Sequence, residues 1–146
     1  MNKFAISVAV LSTLAAATMG FARDTAAPDG AKVYFVNLED GATVSSPVTV
    51  QFGMNGMGVA PAGVEWDNTG HHHLLINAEA YGPDTLDAFD EGIPADDNHK
   101  HFGGGQTEVT LDLPAGQHTL QLVVGDHFHI PHADPIYSQQ ITITVN

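Results

Sequence analysis

The stretch "LPAGQHTLQL", residues 113–122, decides the fold class of this chain. Before it, Val109 and Leu111 alternate with polar residues, and Leu120 and Leu122 do so within it. A period of two places alternate side chains on one face of a β-strand. The Pro-Ala-Gly-Gln connection has the composition of a tight turn. The stretch therefore predicts two consecutive strands joined by a short turn.

Similar runs, separated by Gly, Pro, Asn and Asp, occur along most of the chain. The predicted strands are 32–37, 47–54, 71–77, 106–113, 118–126 and 138–145. No apolar period of 3.6 persists over the length of a helix. Strands with one apolar face each are what two packed sheets require. The sequence predicts an all-β fold, an Ig-like antiparallel β-sandwich of about seven strands. The acidic segment 78–98 has room for one irregular strand or a short helix around residues 85–89.

The amino-terminal segment has the composition of an export signal. Lys3 precedes an apolar run, and Gly20-Phe21-Ala22 supplies small residues at a cleavage site. We therefore expect a cleaved signal peptide at 1–22, a flexible lead at 23–31 and the β-sandwich domain at 32–146, in a periplasmic or secreted protein. No later apolar run approaches the roughly 20 residues of a membrane-spanning helix, so membrane insertion is not expected.

Composition excludes several classes of protein. The chain contains no cysteine, which rules out disulfides and thiolate metal ligands. Its formal net charge is −13 at pH 7, which disfavours nucleic acid and anionic lipid as partners and attracts cations.

The nine histidines are the chemically informative residues. They include three His-x-His pairs, and alternate residues of a strand point to the same side, so two imidazoles can converge on one ion. The candidate metal ligands are His71, His73, His99, His101, His127, His129 and His132.

The predicted topology brings the three pairs to one end of the sandwich. In an Ig-like fold, the loops entering the third strand, entering the fifth and leaving the sixth lie at one pole. The pairs occupy those three places, provided that segment 78–98 crosses the domain. An imidazole ligand set suits copper or zinc, and without cysteine a blue-copper centre is disfavoured.

Three further residues receive other roles. His72 has the parity of Leu74 and Ile76 and is expected on the core side, opposite His71 and His73. His118 has the parity of the inward residues of its strand and is expected to be structural. Asp126 is a candidate carboxylate for orienting an imidazole.

Three functions fit this pattern. The first is an exported copper or zinc carrier, buffer or sensor, whose partners are the metal ion and another periplasmic protein. The second is a periplasmic interaction module without metal, in which the histidines form a structural or pH-responsive network. The third is a metal-dependent enzyme. No nucleophile motif and no substrate cleft are indicated, so catalysis is not the expected activity.

The motifs "HHHLLI", "HKHFGGGQTE" and "GDHFHIPH" resemble a family of bacterial exported domains classed as a domain of unknown function. The resemblance covers residues 70–145 and implies a secreted, β-rich domain without an assigned activity. The earlier stretch "LEDGATVSSPVTVQF" is similar to bacterial Ig-like modules and to the opening of periplasmic copper-resistance proteins. Those copper proteins use an amino-terminal histidine, whereas the expected mature chain begins at Arg23.

Overall fold

The structure, a computed structural model, describes residues 23–146, and its regular secondary structure is almost entirely β-strand. The predicted signal segment, 1–22, lies outside the described residues. The strands are β1 (Lys32–Phe35), β2 (Thr43–Val44), β3 (Val48–Asn55), β4 (Gly58–Val59), β5 (Thr69–Ile76), β6 (His99–His101), β7 (Glu108–Leu111), β8 (Gly116–Gly125) and β9 (Ile141–Val145). A 3-10 helix, Leu86–Phe89, lies between β5 and β6. Within residues 23–146, no helix has the length and apolar character needed to span a membrane.

The strands form two sheets. One has the order β1-β3-β7, and the other has the order β2-β9-β8-β5-β4, with β6 also paired to β5. The all-β, two-sheet prediction is confirmed. The predicted strands at 32–37, 47–54 and 106–113 correspond to β1, β3 and β7 of one sheet, and those at 71–77, 118–126 and 138–145 correspond to β5, β8 and β9 of the other. The three short strands β2, β4 and β6 lie outside that scheme, so the exact Ig-like topology stays a prediction.

The connection in "LPAGQHTLQL" passes from one sheet to the other. β7 pairs with β3, whereas β8 pairs with β5 and β9. Gly116, which opens β8, has φ +135°, a conformation that glycine adopts more readily than other residues. The turn therefore closes the sandwich at this end instead of forming a hairpin within one sheet.

The main core fills the space between the sheets. Val48, Val50 and Phe52 of β3 alternate with less buried polar residues, as the period of two predicts. They meet the inward residues of the opposite sheet, Leu74, Ile76, Leu120, Leu122, Val124, Ile141 and Ile143.

A second, smaller core covers the outer face of the six-stranded sheet. Segment 78–98 contributes Tyr81, Phe89 and Ile93, which pack on Leu75 and Val123. The buried side chain of Gln121 holds the cover in place, since its amide accepts from the Tyr81 N–H (2.8 Å) and donates to the Tyr81 carbonyl (2.7 Å). This cover buries Leu75 on the outer face, and every residue of β5 after Thr69 is buried, on both faces.

Candidate metal centre

Strand β5 places two histidines on the outer face of the six-stranded sheet. Leu74 and Ile76 belong to the main core, and the His72 ring lies there too, 5.2 Å from the Phe52 ring between centroids. Alternation directs His71 and His73 to the opposite face, where Leu75 joins the smaller core. The predicted split parity of the three-histidine run is confirmed.

Strand β6 brings a third histidine to this face. β6 runs antiparallel to β5 along the edge of β5 opposite β8, and His101 is the register partner of His73. The sequence predicted that the His99/His101 pair would reach the site from the loop that enters the predicted strand 106–113. In the structure the third histidine arrives instead on a short edge strand that pairs directly with β5.

The loop after β8 supplies the fourth histidine. Gly125, the last residue of β8, is the register partner of His71, so the chain leaves the strand beside that ring. The loop returns to the His71 side within four residues, and the His129 N–H donates to the Asp126 carbonyl (3.0 Å). His129 itself has φ +67°, in the left-handed region that non-glycine residues rarely occupy.

Asp126 shapes this loop. Its Oδ1 accepts from the N–H groups of Phe128 (2.8 Å) and Ile130 (3.0 Å), and its Oδ2 accepts from the Thr25 hydroxyl (2.6 Å). These three bonds use both carboxylate oxygens, and none involves an imidazole. The expected orienting role of Asp126 toward a histidine ring is therefore replaced by a role in fixing the backbone that carries His129.

Four histidines form one compact group, which we call the four-histidine cluster: His71, His73, His101 and His129. One nitrogen of each ring lies within 4.8 Å of the corresponding nitrogen of every other ring. The ring centroids are 4.7 Å apart for His71 and His73, and 4.5 Å apart for His101 and His129. Four imidazole donors thus surround one point in space.

Burial divides the four-histidine cluster into two halves. His71 and His73 are fully buried, His129 is partly exposed and His101 is exposed. His71 Nε2 forms a hydrogen bond with His129 Nδ1 (3.0 Å). Within the described residues, His71 Nδ1 and both ring nitrogens of His73 are buried without a hydrogen-bond partner. Such atoms are rare in folded proteins, and each has a free-energy cost of about 1–3 kcal/mol.

Burial keeps these imidazoles neutral. It lowers the pKa of His71 to about 4, with the neighbouring rings of His129 and His101 adding to the effect. It lowers the pKa of His73 to about 2, again with contributions from the other rings of the cluster. The pKa of His101 is also lowered, by burial and by His129. At neutral pH each of these rings is therefore neutral, with a proton on one nitrogen and a free lone pair on the other.

Two glycines make room for the rings, and sequence reasoning did not identify them. A Cβ atom at Gly125 would lie 2.7 Å from Cε1 of His73. A Cβ atom at Gly103 would collide with the ring of His101. Each glycine lies within two residues of a His-x-His pair, at 99/101 or 127/129, which is the only sequence signal of this role.

The other predicted ligands lie outside the four-histidine cluster. His99 is on the same face as His101, but its Nδ1 bonds Asp96 Oδ1 (2.8 Å) and its ring meets Phe89. The His127 ring contacts the Phe128 ring at a tilted angle, with ring centroids 4.1 Å apart. His132 is buried, and its Nε2 bonds the Thr69 carbonyl (3.2 Å). The structure thus brings four of the seven predicted residues together.

His118 takes the structural role expected of it. Its Nε2 donates to the Pro114 carbonyl (2.9 Å), which implies that Nδ1 accepts from the Asn77 amide (3.0 Å). These bonds tie the turn before β8 to the residue after β5.

Comparison with known proteins yields a family but no activity. No curated protein matches the sequence significantly. Among solved structures, the X-ray structure of the endo-beta-1,4-mannanase from Thermotoga petrophila is similar at 18% identity with a TM-score of 0.43, and the match covers 80% of this chain and 20% of that one. The model of the family described as "Domain of unknown function (DUF4399)" matches residues 50–146, which include every member of the four-histidine cluster. The chain belongs to the DUF4399 family.

Proposed function

We propose that this protein binds one copper or zinc ion through His71, His73, His101 and His129, and that it serves as an exported carrier, buffer or sensor of that ion. The observation that carries the proposal is the convergence of four imidazole donors within 4.8 Å of one another. The exported location rests on the composition of residues 1–22.

The unpartnered nitrogens favour a metal over a hydrogen-bonded network. A structural network would satisfy its buried members, yet neither nitrogen of His73 has a partner among the described residues. Among the four rings, a single pair, His71 and His129, is linked by a hydrogen bond. A cation at the centre would accept one lone pair from each ring, so it would give one of the two unpartnered His73 nitrogens a partner and offset the cost of burying that atom.

The donor set favours copper or zinc. Neutral imidazole suits both ions, whereas magnesium and calcium prefer oxygen ligands. Metal-to-nitrogen distances of about 2.0–2.1 Å place tetrahedral donors about 3.4 Å apart. The donor nitrogens of the four-histidine cluster are separated by up to 4.8 Å, which is wider than the tetrahedral spacing. The rings must therefore move inward, and the exposed His101 and partly exposed His129 have the freedom to do so.

The arrangement fits an ion that is exchanged. The two buried rings form a fixed floor, and the two others lie at the surface, so an ion can enter and leave on the side of His101 and His129. A net charge of −13 raises the local concentration of cations.

Calorimetric titration of the tag-free protein with Cu(II) and Zn(II) tests the proposal. We expect one ion per chain and sub-micromolar affinity. His73→Ala removes a cluster donor and is expected to weaken binding at least tenfold, or by about 1.4 kcal/mol. His99→Ala is the matched control, because it removes a histidine from the same sheet face outside the cluster. Equal binding by the two variants, or wild-type affinity no better than that of an unstructured histidine-containing peptide, would rule out the site.

A further inference from the structure

An open groove lies on the surface beside the loop that carries His129. Its volume is about 860 Å³, and its walls come from residues 24–26, from 64–69 and from the loop after β8. None of its lining residues belongs to the four-histidine cluster. Its properties are therefore independent of the proposed metal centre.

The groove collects exposed apolar side chains. Five large hydrophobic residues are exposed in the described part of the chain, and three of them, Val64, Trp66 and Phe128, line this groove. Trp66 is 73% exposed and Phe128 is 63% exposed. Single exposed apolar residues are ordinary, whereas a group of them in one concave surface marks a binding site.

Backbone hydrogen bonds hold the two aromatic residues in place. The Thr69 hydroxyl donates to the Trp66 carbonyl (2.7 Å), and the Phe128 N–H donates to Asp126 Oδ1 (2.8 Å). The two loops are also joined directly, because the Gly63 N–H donates to the His127 carbonyl (3.0 Å). The aromatic rings thus stand in solvent on a fixed backbone, which lowers the entropic cost of binding a partner.

The carboxylates are the formally charged side chains in the lining of the groove. Asp24, Glu65 and Asp67 are exposed carboxylates in its wall, and none of its lining residues in the described part of the chain is Lys or Arg. Asp126, the fourth carboxylate, has both oxygens engaged in hydrogen bonds. Aromatic faces beside unpaired carboxylates attract ammonium and guanidinium groups, through cation–π contacts and ion pairing.

We propose that this groove is the docking surface for a lysine- or arginine-rich segment of a partner protein. The open shape favours a protein segment over a free amine, because an open groove leaves a small cation solvated while an extended segment can meet several of its residues at once. Phe128 is adjacent to His129, so the partner would dock next to the four-histidine cluster.

Trp66 is the only tryptophan of the chain, so its fluorescence reports on this groove directly. The probe is a capped hexalysine peptide, and its fully acetylated form is the neutral control. We expect a saturable shift in Trp66 emission with hexalysine and none with the acetylated peptide. Phe128→Ala is expected to weaken binding about two- to fivefold, the effect of losing a cation–π contact at an exposed ring.

A charge-matched pair of variants separates the groove from general attraction to an acidic protein. Glu65→Gln with Asp67→Asn removes two carboxylates from the groove, and Glu39→Gln with Asp112→Asn removes two exposed carboxylates elsewhere. We expect the first pair to weaken hexalysine binding at least tenfold and the second less than twofold. Equal effects would overturn the proposal, since the attraction would then be that of the whole surface. Tighter binding of spermine than of hexalysine would also overturn it, because a free amine would then be the ligand.

Discussion

His71 Nε2 lies 3.0 Å from His129 Nδ1, although the two residues are 58 positions apart and belong to a strand and a loop. The bond links the buried half of the four-histidine cluster to its exposed half. It also places one donor atom from each half within reach of the same point. A metal ion bound there would replace this hydrogen bond with two coordinate bonds.

The metal-free protein is expected to lose stability as the pH falls below about 6.5. Burial lowers the pKa of His71 and of His72 to about 4, and that of His73 to about 2. The unfolded chain, with an ordinary histidine pKa near 6.5, then binds more protons than the folded chain between these values. The stabilising contribution is complete above pH 6.5 and is lost progressively toward pH 4, by up to about 1.4 kcal/mol per pH unit for each histidine.

Urea unfolding at pH 7.5, 6 and 5, in the presence of a chelator, measures this loss. The interval above pH 5 separates the histidines from most carboxylates, which titrate lower. An unfolding free energy that stays constant from pH 7.5 to pH 5 would show that the buried rings are not held neutral.

Replacing His72 with leucine is expected to stabilise the protein. Among the residues that the structure describes, neither ring nitrogen of His72 has a hydrogen-bond partner, and both are buried in the main core next to Phe52. Removing such a group in favour of an apolar side chain of similar size should raise the unfolding free energy by about 1–3 kcal/mol. His72→Leu should also lose less stability between pH 7.5 and pH 5 than the wild type does.

Metal affinity provides the control for His72→Leu, because this ring points away from the cluster. We expect zinc affinity within twofold of wild type. A destabilised variant, or one that no longer binds zinc, would mean that His72 has an unidentified role.

Gly125→Ala is expected to weaken metal binding by displacing the histidine ligands, because it removes no donor atom. The added Cβ would lie 2.7 Å from Cε1 of His73 and 3.2 Å from Cα of His129, so these parts of the cluster must shift. Donors have to be placed to within about 0.5 Å, and we expect at least a tenfold loss of zinc affinity.

Gly82→Ala is the matched control for Gly125→Ala. A Cβ atom at Gly82 has no neighbour within 4 Å in residues 23–146, and that backbone is not in the left-handed region. Calorimetry should therefore give wild-type affinity for Gly82→Ala. Wild-type affinity for Gly125→Ala as well would contradict the described packing of the cluster.

Alternation in the sequence predicts the sheets and their faces but not the final composition of the four-histidine cluster. The parity of residues 71–76 assigns His72 to the core and His71 to the outer face, because strand geometry alone decides it. His99 and His101 share a face, yet His99 turns to Asp96, a partner supplied by the irregular segment before β6. His129 joins the cluster and His127 does not, because the left-handed backbone conformation of His129 itself turns the loop. The alternation of apolar and polar residues along strands carries no information about a loop conformation of this kind.

The left-handed conformation of His129 gives a prediction about stability. Alanine and glycine at this position both remove the ring, and they differ in the cost of φ +67°. His129→Gly is expected to be more stable than His129→Ala by about 1 kcal/mol, after allowing for the greater freedom of glycine in the unfolded chain. Urea unfolding of the two metal-free variants measures the difference. An alanine variant as stable as the glycine variant would show that the loop adopts another conformation.

Anomalous diffraction from crystals grown with one equivalent of zinc or copper tests the proposed metal centre most directly. We expect a single peak about 2.0–2.1 Å from a ring nitrogen of each of His71, His73, His101 and His129. A peak at the His99 and Asp96 pair, or no peak at the four-histidine cluster in protein that has taken up the metal, would contradict the proposal.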